Sequence, residues 1–456
     1  MKLKLFNSLT RSWSVINLIK EKRLNIYLCG PTVYDHVHVG NLRSIIIFDL
    51  LGRLLRYLEI GVDYVNNITD IDDKIIDKSK KLEKSEEQIA DKYTKAFFSV
   101  LSLFNVDTDK TIFPQVTNYL EEIKAFIEKM EKKGLTYEKN GDVLFCLERV
   151  SELNYGKLSN QKIEKLQRKN THLQKPSNVN DFVLWKKTKE GKKWDSRWGQ
   201  GRPGWHTECV VFIDKLFQHQ TINIHGGGVD LLFPHHENER IQFLSTNDRE
   251  LSDIWLHIAH IFWEKEKMSK SLGNVVYAKD FYEKYGSNAL RYIIFSSHYQ
   301  QTINLSDSLI NNSLNYLERL LRFLKRLKLS CYLKKIKIEK EEVTTKKSSD
   351  IRESVIISLL DNLDTAKVFF YLEKLVVFLN KETSKQNVNF NLFFSAVSDF
   401  FWVLNLLGLD FPISLEEEYS TREKFLIDNW VYFRERRKFL EADSLRNELI
   451  KEEILP

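Results

Sequence analysis

Apolar residues in the first 80 positions form short continuous runs and one long helical repeat. The run 25–28 is followed by a Gly-Pro pair, which predicts a strand that ends in a turn. From Leu42 to Leu58 apolar residues recur three and four positions apart, which predicts a long helix. The segment 62–73 predicts a buried strand that ends in a polar cluster, and a helix rich in Lys and Glu follows. This order favours an α/β fold with a parallel sheet, whose ligands bind at the carboxyl ends of its strands.

The pattern changes between about residues 107 and 200. An amphipathic helix is predicted from Asn118 to Lys133, because its apolar repeat stops at Gly134. The next segment, 135–146, contains an Asn-Gly pair of the kind that joins the two strands of a hairpin. We therefore predict that a connective region is inserted into the sheet domain here.

The remainder of the chain is predicted to complete the sheet and then to become helical. Strands are predicted over 204–213, 221–225 and 254–262. From about residue 303 the length and repeat of the apolar pattern favour a bundle of four or five helices. The predicted domains are the first half of the sheet domain (1–107), the inserted region (108–203), the second half of the sheet domain (204–302) and the helical bundle (303–456).

Within the predicted bundle, the apolar repeat indicates where each helix lies. Single helices are expected over 355–379, 392–407 and 430–450, and the first helix of the bundle, near residues 319–328, is strongly basic. A charged, weakly apolar linker is expected over 334–350.

Composition permits a large folded core and indicates the cellular compartment in which the protein is expected. The chain has 456 residues, of which 43% are hydrophobic, and its length corresponds to about three domains. The formal net charge of +6 permits a polyanionic partner without requiring one. Four widely and unevenly spaced cysteines disfavour a disulfide framework and indicate a reducing compartment. Because there is no signal peptide and no run of about 18 apolar residues, we expect a cytoplasmic protein without a membrane partner.

The first candidate site follows the strand 25–28. Cys29 stands where the strand ends and could ligate a metal, and His38 and Gly40 stand near the start of the long helix. The first amides of a helix are unpaired and its dipole is positive there, so a phosphate beside His38 and Gly40 would be held by both. The alternative is that Cys29 and His38 are ordinary residues of a strand and helix.

Two further polar segments end predicted strands. Thr69, Asp70 and Asp72 either bind a ligand or cap the helix that follows them. In the segment 225–239, three consecutive glycines would let a ligand approach the backbone, and Asp230 is placed to accept hydrogen bonds from ribose hydroxyls.

The same segment also predicts a metal site. Pro234 suits the first position of a helix, on which His235 and Glu239, four residues apart, would leave the same face. With Cys29 and Cys209 they would form a tetrahedral set of two sulfurs, one imidazole and one carboxylate, which suits zinc. A histidine pair on a helix is, taken alone, more commonly a core or surface feature.

The third candidate site is the loop 267–274, which contains two lysines, two serines and a glycine. Lys267 and Lys270 would neutralise the charge that grows on a departing pyrophosphate, where positioned cations contribute much of the catalysis. The alternative is a solvated basic loop.

Two of these segments resemble the signatures of class I aminoacyl-tRNA synthetases. The segment 31–41 resembles the HIGH signature, and Lys267–Ser271 spells the KMSKS signature in full. Four segments resemble the cysteinyl-tRNA synthetase family within that class: 69–76, 181–186, 201–206 and 235–239. The resemblance covers about residues 25–300. It implies a Rossmann-like catalytic domain with an inserted connective domain, followed by a C-terminal α-helical bundle.

The resemblance also implies roles for individual residues. His38 and Lys270 would stabilise the transition state at the α-phosphate and the leaving pyrophosphate, with Mg²⁺ accompanying ATP. Asn41 stands where the signature's final histidine often lies, and its amide can donate a hydrogen bond to phosphate. The residues that would contact ATP are His38, Gly40, Asn41, Gly227, Asp230 and Lys270. The matching zinc ligands are Cys29, Cys209, His235 and Glu239, and the amino-acid pocket would be lined by Thr69, Trp205 and His225.

The implied activity is ATP-dependent formation of cysteinyl-adenylate and transfer of cysteine to the 3′ end of tRNA(Cys), by an enzyme that we expect to be a monomer. Serine and cysteine differ by one atom, and shape alone discriminates such pairs by only about 1–3 kcal/mol. Zinc would separate them because a thiol is readily deprotonated on the metal and a hydroxyl is not. The alternatives are a ligase that joins cysteine to a small amine and a catalytically inactive RNA-binding relative.

Overall fold

The computed structural model of the chain describes residues 1–161, 181–268, 274–338 and 350–455. Its contacts divide the chain into two compact units. The first comprises Met1–Lys284, His298–Leu305 and Leu360–Leu363, and the second comprises Tyr285–Ser297, Ser306–Leu359 and Asp364–Pro456.

The described residues form both strands and helices. The strands are Lys2–Asn7 (β1), Ser12–Asn17 (β2), Arg23–Leu28 (β3), Gly61–Asn66 (β4), Thr111–Ile112 (β5), Thr136–Lys139 (β6), Asp142–Phe145 (β7), Phe182–Lys187 (β8), Gly201–Pro203 (β9), Ile222–Gly228 (β10), Ser252–Ile258 (β11), Ile261–Trp263 (β12), Glu266–Lys267 (β13) and Ile303–Leu305 (β14). The α-helices are Val39–Tyr57 (α1), Asp73–Leu82 (α2), Glu86–Leu103 (α3), Leu120–Lys132 (α4), Trp205–Leu216 (α5), Glu237–Asn247 (α6), Ala278–Phe295 (α7), Asp307–Leu333 (α8), Asp350–Leu360 (α9), Thr365–Ser384 (α10), Phe390–Leu407 (α11), Thr421–Glu435 (α12) and Phe439–Lys451 (α13).

Five parallel strands form the central sheet of the first unit, in the order β11-β10-β3-β4-β5. This arrangement confirms the predicted α/β class. Helix α1 packs closely on the sheet, because Phe48 fills the space beside Gly226, where a Cβ atom would lie 2.0 Å from the ring. The strand order brings the carboxyl ends of β10, β3 and β4 side by side, and the predicted site residues follow these strands.

A separate four-stranded antiparallel sheet, in the order β6-β7-β8-β9, lies in the segment that we predicted to be inserted. Its first hairpin turns at Asn140 and Gly141, whose φ angles of 56° and 89° lie in the left-handed region that an Asn-Gly pair favours. Phe145 of this sheet belongs to the same buried cluster as Phe126 of α4 and Cys209 of α5. The second sheet therefore supports the helix that carries one predicted metal ligand.

One predicted strand is a helix. We predicted a strand over 204–213, but Trp205–Leu216 forms helix α5. Every residue from Thr207 to Asp214 is buried, so the helix has no polar face to reveal its repeat. The run 209–213 therefore has the continuous apolar composition of a buried strand, and composition alone does not separate the two.

Two further boundaries differ from the prediction. The segment 254–262 is not one strand, because β11 ends at Ile258 and β12 starts at Ile261 in a different, three-stranded sheet. Pro234 does not begin a helix. It lies within a π-helical turn, Leu232–His236, and α6 begins at Glu237.

The second unit is helical, which confirms the predicted C-terminal bundle. The predicted helix 355–379 is two helices, α9 and α10, separated near Asn362 and Leu363, whose φ angles of 61° and 55° are left-handed. The predicted helix 430–450 is likewise split between α12 and α13, at Arg437. Six helices of the described part therefore follow residue 305, where we predicted four or five. Most of the predicted linker 334–350 lies outside the described residues.

Helix α11 is the one described helix whose length and apolar composition would allow it to cross a membrane. Its mean hydropathy is 1.5, and 56% of it is buried inside the protein. Phe393, Phe400 and Leu407 are fully buried. Core helices of soluble proteins share these properties, so the feature is weak evidence for a membrane span.

Candidate active site

The four residues predicted to bind zinc lie together in the first unit. Cys29 directly follows β3, Cys209 lies in the second turn of α5, and His235 and Glu239 flank the start of α6. One ligand atom from each of the four lies within 4.8 Å of all the others. The cluster is buried except for Cys29, which is half-buried. Residues that are far apart in the sequence are thus neighbours in the fold.

Three of the distances within the cluster fit a tetrahedral zinc site. Two sulfurs bound to one zinc ion at about 2.3 Å would lie roughly 3.8 Å apart, and a sulfur and a nitrogen or oxygen about 3.5 Å apart. Cys29 Sγ lies 3.7 Å from Cys209 Sγ and 3.6 Å from Glu239 Oε1. Cys209 Sγ lies 3.6 Å from His235 Nε2. A fourth pair, His235 Nε2 and Glu239 Oε1, is at hydrogen-bond distance, 2.7 Å, whereas a nitrogen and an oxygen bound to one zinc ion would lie about 3.3 Å apart.

Hydrogen bonds from behind the cluster orient its ligands. His235 presents Nε2 to the sulfurs, and its Nδ1 lies 2.9 Å from His206 Nδ1. Glu239 presents Oε1 to the cluster, and its Oε2 lies 2.6 Å from His225 Nε2. Such outer partners fix the orientation of metal-ligating imidazole and carboxylate groups.

A second group of side chains also meets the distance criterion for a metal site: Cys29, His225, His236 and Glu239. It shares two residues with the first group. His236 Nε2 lies 3.3 Å from Cys29 Sγ, while His236 Nδ1 lies 2.8 Å from His257 Nε2. The first group offers two thiolates and this one only one, so the first suits zinc better. His206, His236 and His257 were missed in the sequence, where only the His235-His236 pair indicated a concentration of imidazoles.

Burial and mutual contact change the acidity of the cluster. Burial raises the pKa of the Cys29 thiol well above its usual range. Burial also acts to raise the pKa of Cys209, but the hydrogen bond from Cys29 and the interactions with His235 outweigh it and lower the value to about 6. Burial lowers the pKa of His206 and of His257 to about 3, so both are neutral imidazoles at physiological pH.

A cavity of about 290 Å³ opens beside the cluster. Cys29 and Trp205 line one part of it, and Trp205, which is 40% exposed, stacks against His235 with the ring centroids 4.3 Å apart. The other predicted site residues that line the same cavity are His38, Gly40, Asn41 and Asp230. The cavity therefore joins the start of α1 to the metal-ligand cluster.

Helix α1 begins at this cavity, three residues before the predicted Leu42, and the backbone N–H groups of Val39 and Asn41 donate to Val276 O and His38 O at 3.0 and 2.9 Å. His38 is its N-terminal cap residue, in extended conformation, and the helix begins at Val39. Asn41 Oδ1 accepts a hydrogen bond from the backbone N–H of His38 at 3.0 Å. This bond engages the amide oxygen of Asn41 and not its NH₂ group.

Other predicted residues serve the surrounding structure. Thr69 is buried and donates to Glu208 Oε2 at 3.2 Å. Asp70 accepts from the backbone N–H of Thr117, and Asp72 caps α2 by accepting from the backbone N–H of Lys74. The capping interpretation therefore holds for Asp72, whereas Asp70 binds the distant Thr117 instead of the helix that follows it.

Two residues predicted to contact ligands lie behind the cavity wall. His225 is completely buried and stacks on Trp255 with the ring centroids 4.4 Å apart, so it contacts Glu239 and not the cavity. At Gly227 a Cβ atom would lie 2.8 Å from the ring of His236, so the missing side chain makes room for an imidazole. Gly228, its neighbour, lines the cavity.

The lysine-rich loop begins at this cavity. Met268 is buried and lines it, and the backbone of Lys267 pairs with Phe262 of β12. Lys270 lies outside the described residues, and of Lys267 only the backbone is described.

Comparison with known proteins gives consistent matches across the chain. A family model described as "tRNA synthetases class I (C) catalytic domain" matches residues 15–315. The chain is 39% identical to the cysteine–tRNA ligase of Mycoplasma mycoides subsp. mycoides SC, over 99% of the chain and 100% of that protein. It is 38% identical to the cysteine–tRNA ligase of Mesoplasma florum, over 99% and 100%. The cysteine–tRNA ligase of Mesomycoplasma hyopneumoniae is 46% identical over 67% of the chain and 74% of its own length.

Solved structures share the fold at low sequence identity. The methionyl-tRNA synthetase of Mycobacterium tuberculosis, in complex with methionyl-adenylate, aligns with a TM-score of 0.57 at 14% identity, over 84% of this chain and 89% of its own. LeuRS from Agrobacterium radiobacter K84, in a ternary complex with tRNA and LeuAMS, aligns with a TM-score of 0.57 at 11% identity, over 85% and 83%. These likenesses support the α/β fold with C-terminal helices.

Proposed function

The chain belongs to the cysteine–tRNA ligases, a family of class I aminoacyl-tRNA synthetases, and from this premise we propose which of its residues perform each part of the reaction. The enzyme uses ATP to charge tRNA with cysteine. In the first step the carboxylate of cysteine attacks the α-phosphorus of ATP and pyrophosphate leaves. In the second step a ribose hydroxyl at the 3′ end of tRNA(Cys) attacks the carbonyl carbon of the adenylate and AMP leaves.

We propose that Cys29, Cys209, His235 and Glu239 hold one zinc ion. The observation that carries this proposal is the close approach of two thiols, an imidazole and a carboxylate at distances suited to a tetrahedral ion. Bound there, zinc would supply a soft Lewis acid that prefers the thiolate of cysteine, whose thiol pKa is about 8.5, to the hydroxyl of serine. Trp205, stacked on His235 at the cavity wall, would pack against the substrate side chain.

The start of α1 would bind the phosphates of ATP, which enters with Mg²⁺. His38, Gly40 and Asn41 line the cavity at the start of α1, where the helix dipole favours an anion. Asn41 would donate its NH₂ group to a phosphate oxygen, and Asp230 would accept hydrogen bonds from the ribose. Lys267 and Lys270 would stabilise the charge that develops on the leaving pyrophosphate.

The domain division follows from these roles. We propose that 1–107 and 204–302 form the catalytic domain, that 108–203 is its connective insertion, and that the helical segment 303–456 binds tRNA. The bundle contains exposed basic side chains such as Arg436 and Arg437, which suit phosphate contacts. We also propose a cytoplasmic monomer. None of the four cysteines forms a disulfide, in keeping with a reducing compartment.

Metal analysis of cysteine variants tests the proposed site. The purified wild-type enzyme should contain one zinc ion per chain and should catalyse cysteine-dependent exchange between ATP and pyrophosphate. Cys209→Ser should lose zinc and exchange together. Cys331→Ser, which changes a buried cysteine of the helical unit, should retain both. Zinc-free wild-type protein, or a Cys209→Ser variant with unchanged zinc, would contradict the proposal. Charging of bulk tRNA with labelled cysteine separately excludes a small amine as the acceptor.

A further inference from the structure

Arg43 is a fully buried arginine in the second turn of α1, with 1% of its surface exposed. No carboxylate of the described residues forms an ion pair with it. Four backbone carbonyl groups surround its guanidinium group instead. Nη1 donates to the carbonyls of Ala259 and His260 at 2.7 and 2.8 Å, and Nη2 donates to those of His298 and Gln301 at 3.3 and 2.5 Å.

Burying a cation without a counter-charge is costly, so its position calls for a reason beyond packing. Burial lowers the pKa of Arg43 to about 10, which still leaves the group charged at neutral pH. Four carbonyl dipoles replace the water that the guanidinium loses. An apolar side chain would fill the same space without that cost, but it would leave the four carbonyls facing one another.

The four carbonyls belong to two neighbouring segments, which continue into the paired parallel strands β12 and β14. Ala259 and His260 connect β11 to β12, and His298 and Gln301 precede β14. The backbone N–H of Ala259 donates to Tyr299 O, and that of Ile303 donates to His260 O, both at 3.0 Å. These bonds and the pairing of β12 with β14 hold the two segments together, and the four bonds from Arg43 tie both of them to α1.

Arg43 thus connects helix α1 to the segment that contains Ala259 and His260, and both of these elements line the proposed ATP cavity. On the side of α1, Gly40, Asn41, Ser44 and Ile45 line the cavity, so Arg43 lies between cavity-lining residues. At the other end, the continuous segment 258–261, which supplies two of the four carbonyls, also lines the cavity. Strand β12 then pairs with β13, which leads into the lysine-rich loop 267–274. Arg43 itself does not line the cavity.

We propose that Arg43 is a positioning residue for ATP, which holds the segment 258–261 and the base of the lysine loop at a fixed distance from the start of α1. The proposal rests on the proposed ATP site, because it assumes that ATP occupies the cavity between these two walls. Arg43 touches no substrate and acts through the backbone it binds. A displacement of about 1 Å between such walls can cost about 100-fold in rate.

Substitution of Arg43 tests this role against a purely structural one. Arg43→Lys keeps the charge but lacks the planar guanidinium group, so it cannot donate to all four carbonyls. Arg43→Met removes the charge at similar volume. In ATP–pyrophosphate exchange, kcat/KM for ATP should fall about 10-fold for Arg43→Lys and about 100-fold for Arg43→Met. The KM for cysteine and the zinc content should stay within about twofold of wild type, since the metal-ligand cluster lies on other elements.

Arg53 provides the matched control on the same helix. Its Nε lies 3.0 Å from both carboxylate oxygens of Asp49, and its Nη2 donates to Asn105 O at 2.6 Å. Arg53→Lys and Arg53→Met should lower thermal stability while leaving the KM for ATP unchanged.

The inference is overturned if Arg43 variants lose activity only in proportion to unfolded protein, if the KM values for ATP and cysteine rise equally, or if Arg43→Lys cannot fold. Absence of exchange by the wild-type enzyme would instead refute the proposed function.

Discussion

At the scale of single residues, the metal ligands depend on side chains that never touch the proposed ion. His206 is the clearest example, because its Nδ1 lies 2.9 Å from Nδ1 of His235, on the side of the ring opposite the sulfurs. A neutral His206, which burial favours by lowering its pKa to about 3, can accept the N–H of His235 and so present Nε2 of His235 to a metal.

We predict that His206→Ala weakens zinc binding by about 10- to 100-fold, the usual effect of removing an outer partner of a ligating histidine. Competition with a chromogenic chelator measures the affinity directly. His219→Ala is the control, because His219 is an exposed histidine that contacts Asp214. Equal zinc affinities for the two variants would show that the contact with His206 does not orient His235.

The four proposed ligands could be predicted from residue types, whereas their supporting residues could not. Cys209 was identified although its helix was predicted to be a strand, because thiol chemistry does not depend on the element that presents it. The role of Thr69 is different. The sequence placed it at the end of a strand, but its hydrogen bond to Glu208 depends on how α5 packs against that strand end. Long-range packing of this kind leaves no periodic signal along the chain.

At the scale of elements, helix α5 is positioned by the absence of a side chain at its N-terminal cap. Gly204 is that cap residue, and a Cβ atom there would lie 1.9 Å from the carbonyl oxygen of Val183 in β8. The close approach lets the helix that carries Cys209 pack directly on the second sheet. The sequence analysis predicted a strand from this residue, and no pattern along the chain indicates which backbone lies against it.

We predict that Gly204→Ala destabilises the first unit by about 1–3 kcal/mol, as is typical of overpacking against atoms that cannot move aside. Zinc content should fall with it, since Cys209 must shift. Gly52→Ala is the control. A Cβ atom at Gly52 in α1 would meet only the flexible end of Arg56, at 3.3 Å, so helix propensity should make this change stabilising by about 0.5–1 kcal/mol. Urea unfolding measures both, and equal destabilisation by the two variants would contradict the assignment.

At the scale of the whole molecule, the chain consists of two compact units with different contents. All four proposed zinc ligands belong to the first unit, and the second unit is helical with its own buried ion pair between Arg352 and Asp399, 2.7 Å apart. The sequence predicted the helical character of the C-terminal third correctly. It did not predict that residues 285–297 belong to the second unit or that residues 360–363 return to the first, because such contacts join segments far apart in the chain.

We predict that removal of zinc destabilises the first unit and leaves the second unchanged. A ligand present at 1,000 times its Kd contributes about 4 kcal/mol to the state that binds it. A strong chelator should therefore lower the unfolding temperature of one transition and not that of the other, and added zinc should restore it. Differential scanning calorimetry measures both transitions. The Cys209→Ser variant should show no chelator effect. A chelator that lowers both transitions equally, or acts equally on the variant, would argue against a zinc site confined to the first unit.

The second unit should matter for tRNA and not for cysteine activation. Arg436 and Arg437 are exposed where α12 gives way to α13, and the guanidinium carbon of Arg436 lies 3.6 Å from the ring centroid of Tyr432. Reversing both charges, Arg436→Glu with Arg437→Glu, removes two cations that suit phosphate binding and should lower kcat/KM for tRNA charging by about 10-fold or more. The salt dependence of tRNA binding should become shallower, by roughly one unit of slope for each phosphate that the variant no longer neutralises. ATP–pyrophosphate exchange should be unchanged, because activation requires no tRNA surface. The same double reversal at Lys20 and Lys22, two exposed lysines of the first unit, controls for net charge. An equal fall in tRNA charging by that variant would mean that the electrostatic field of the whole protein, and not the bundle, attracts the tRNA.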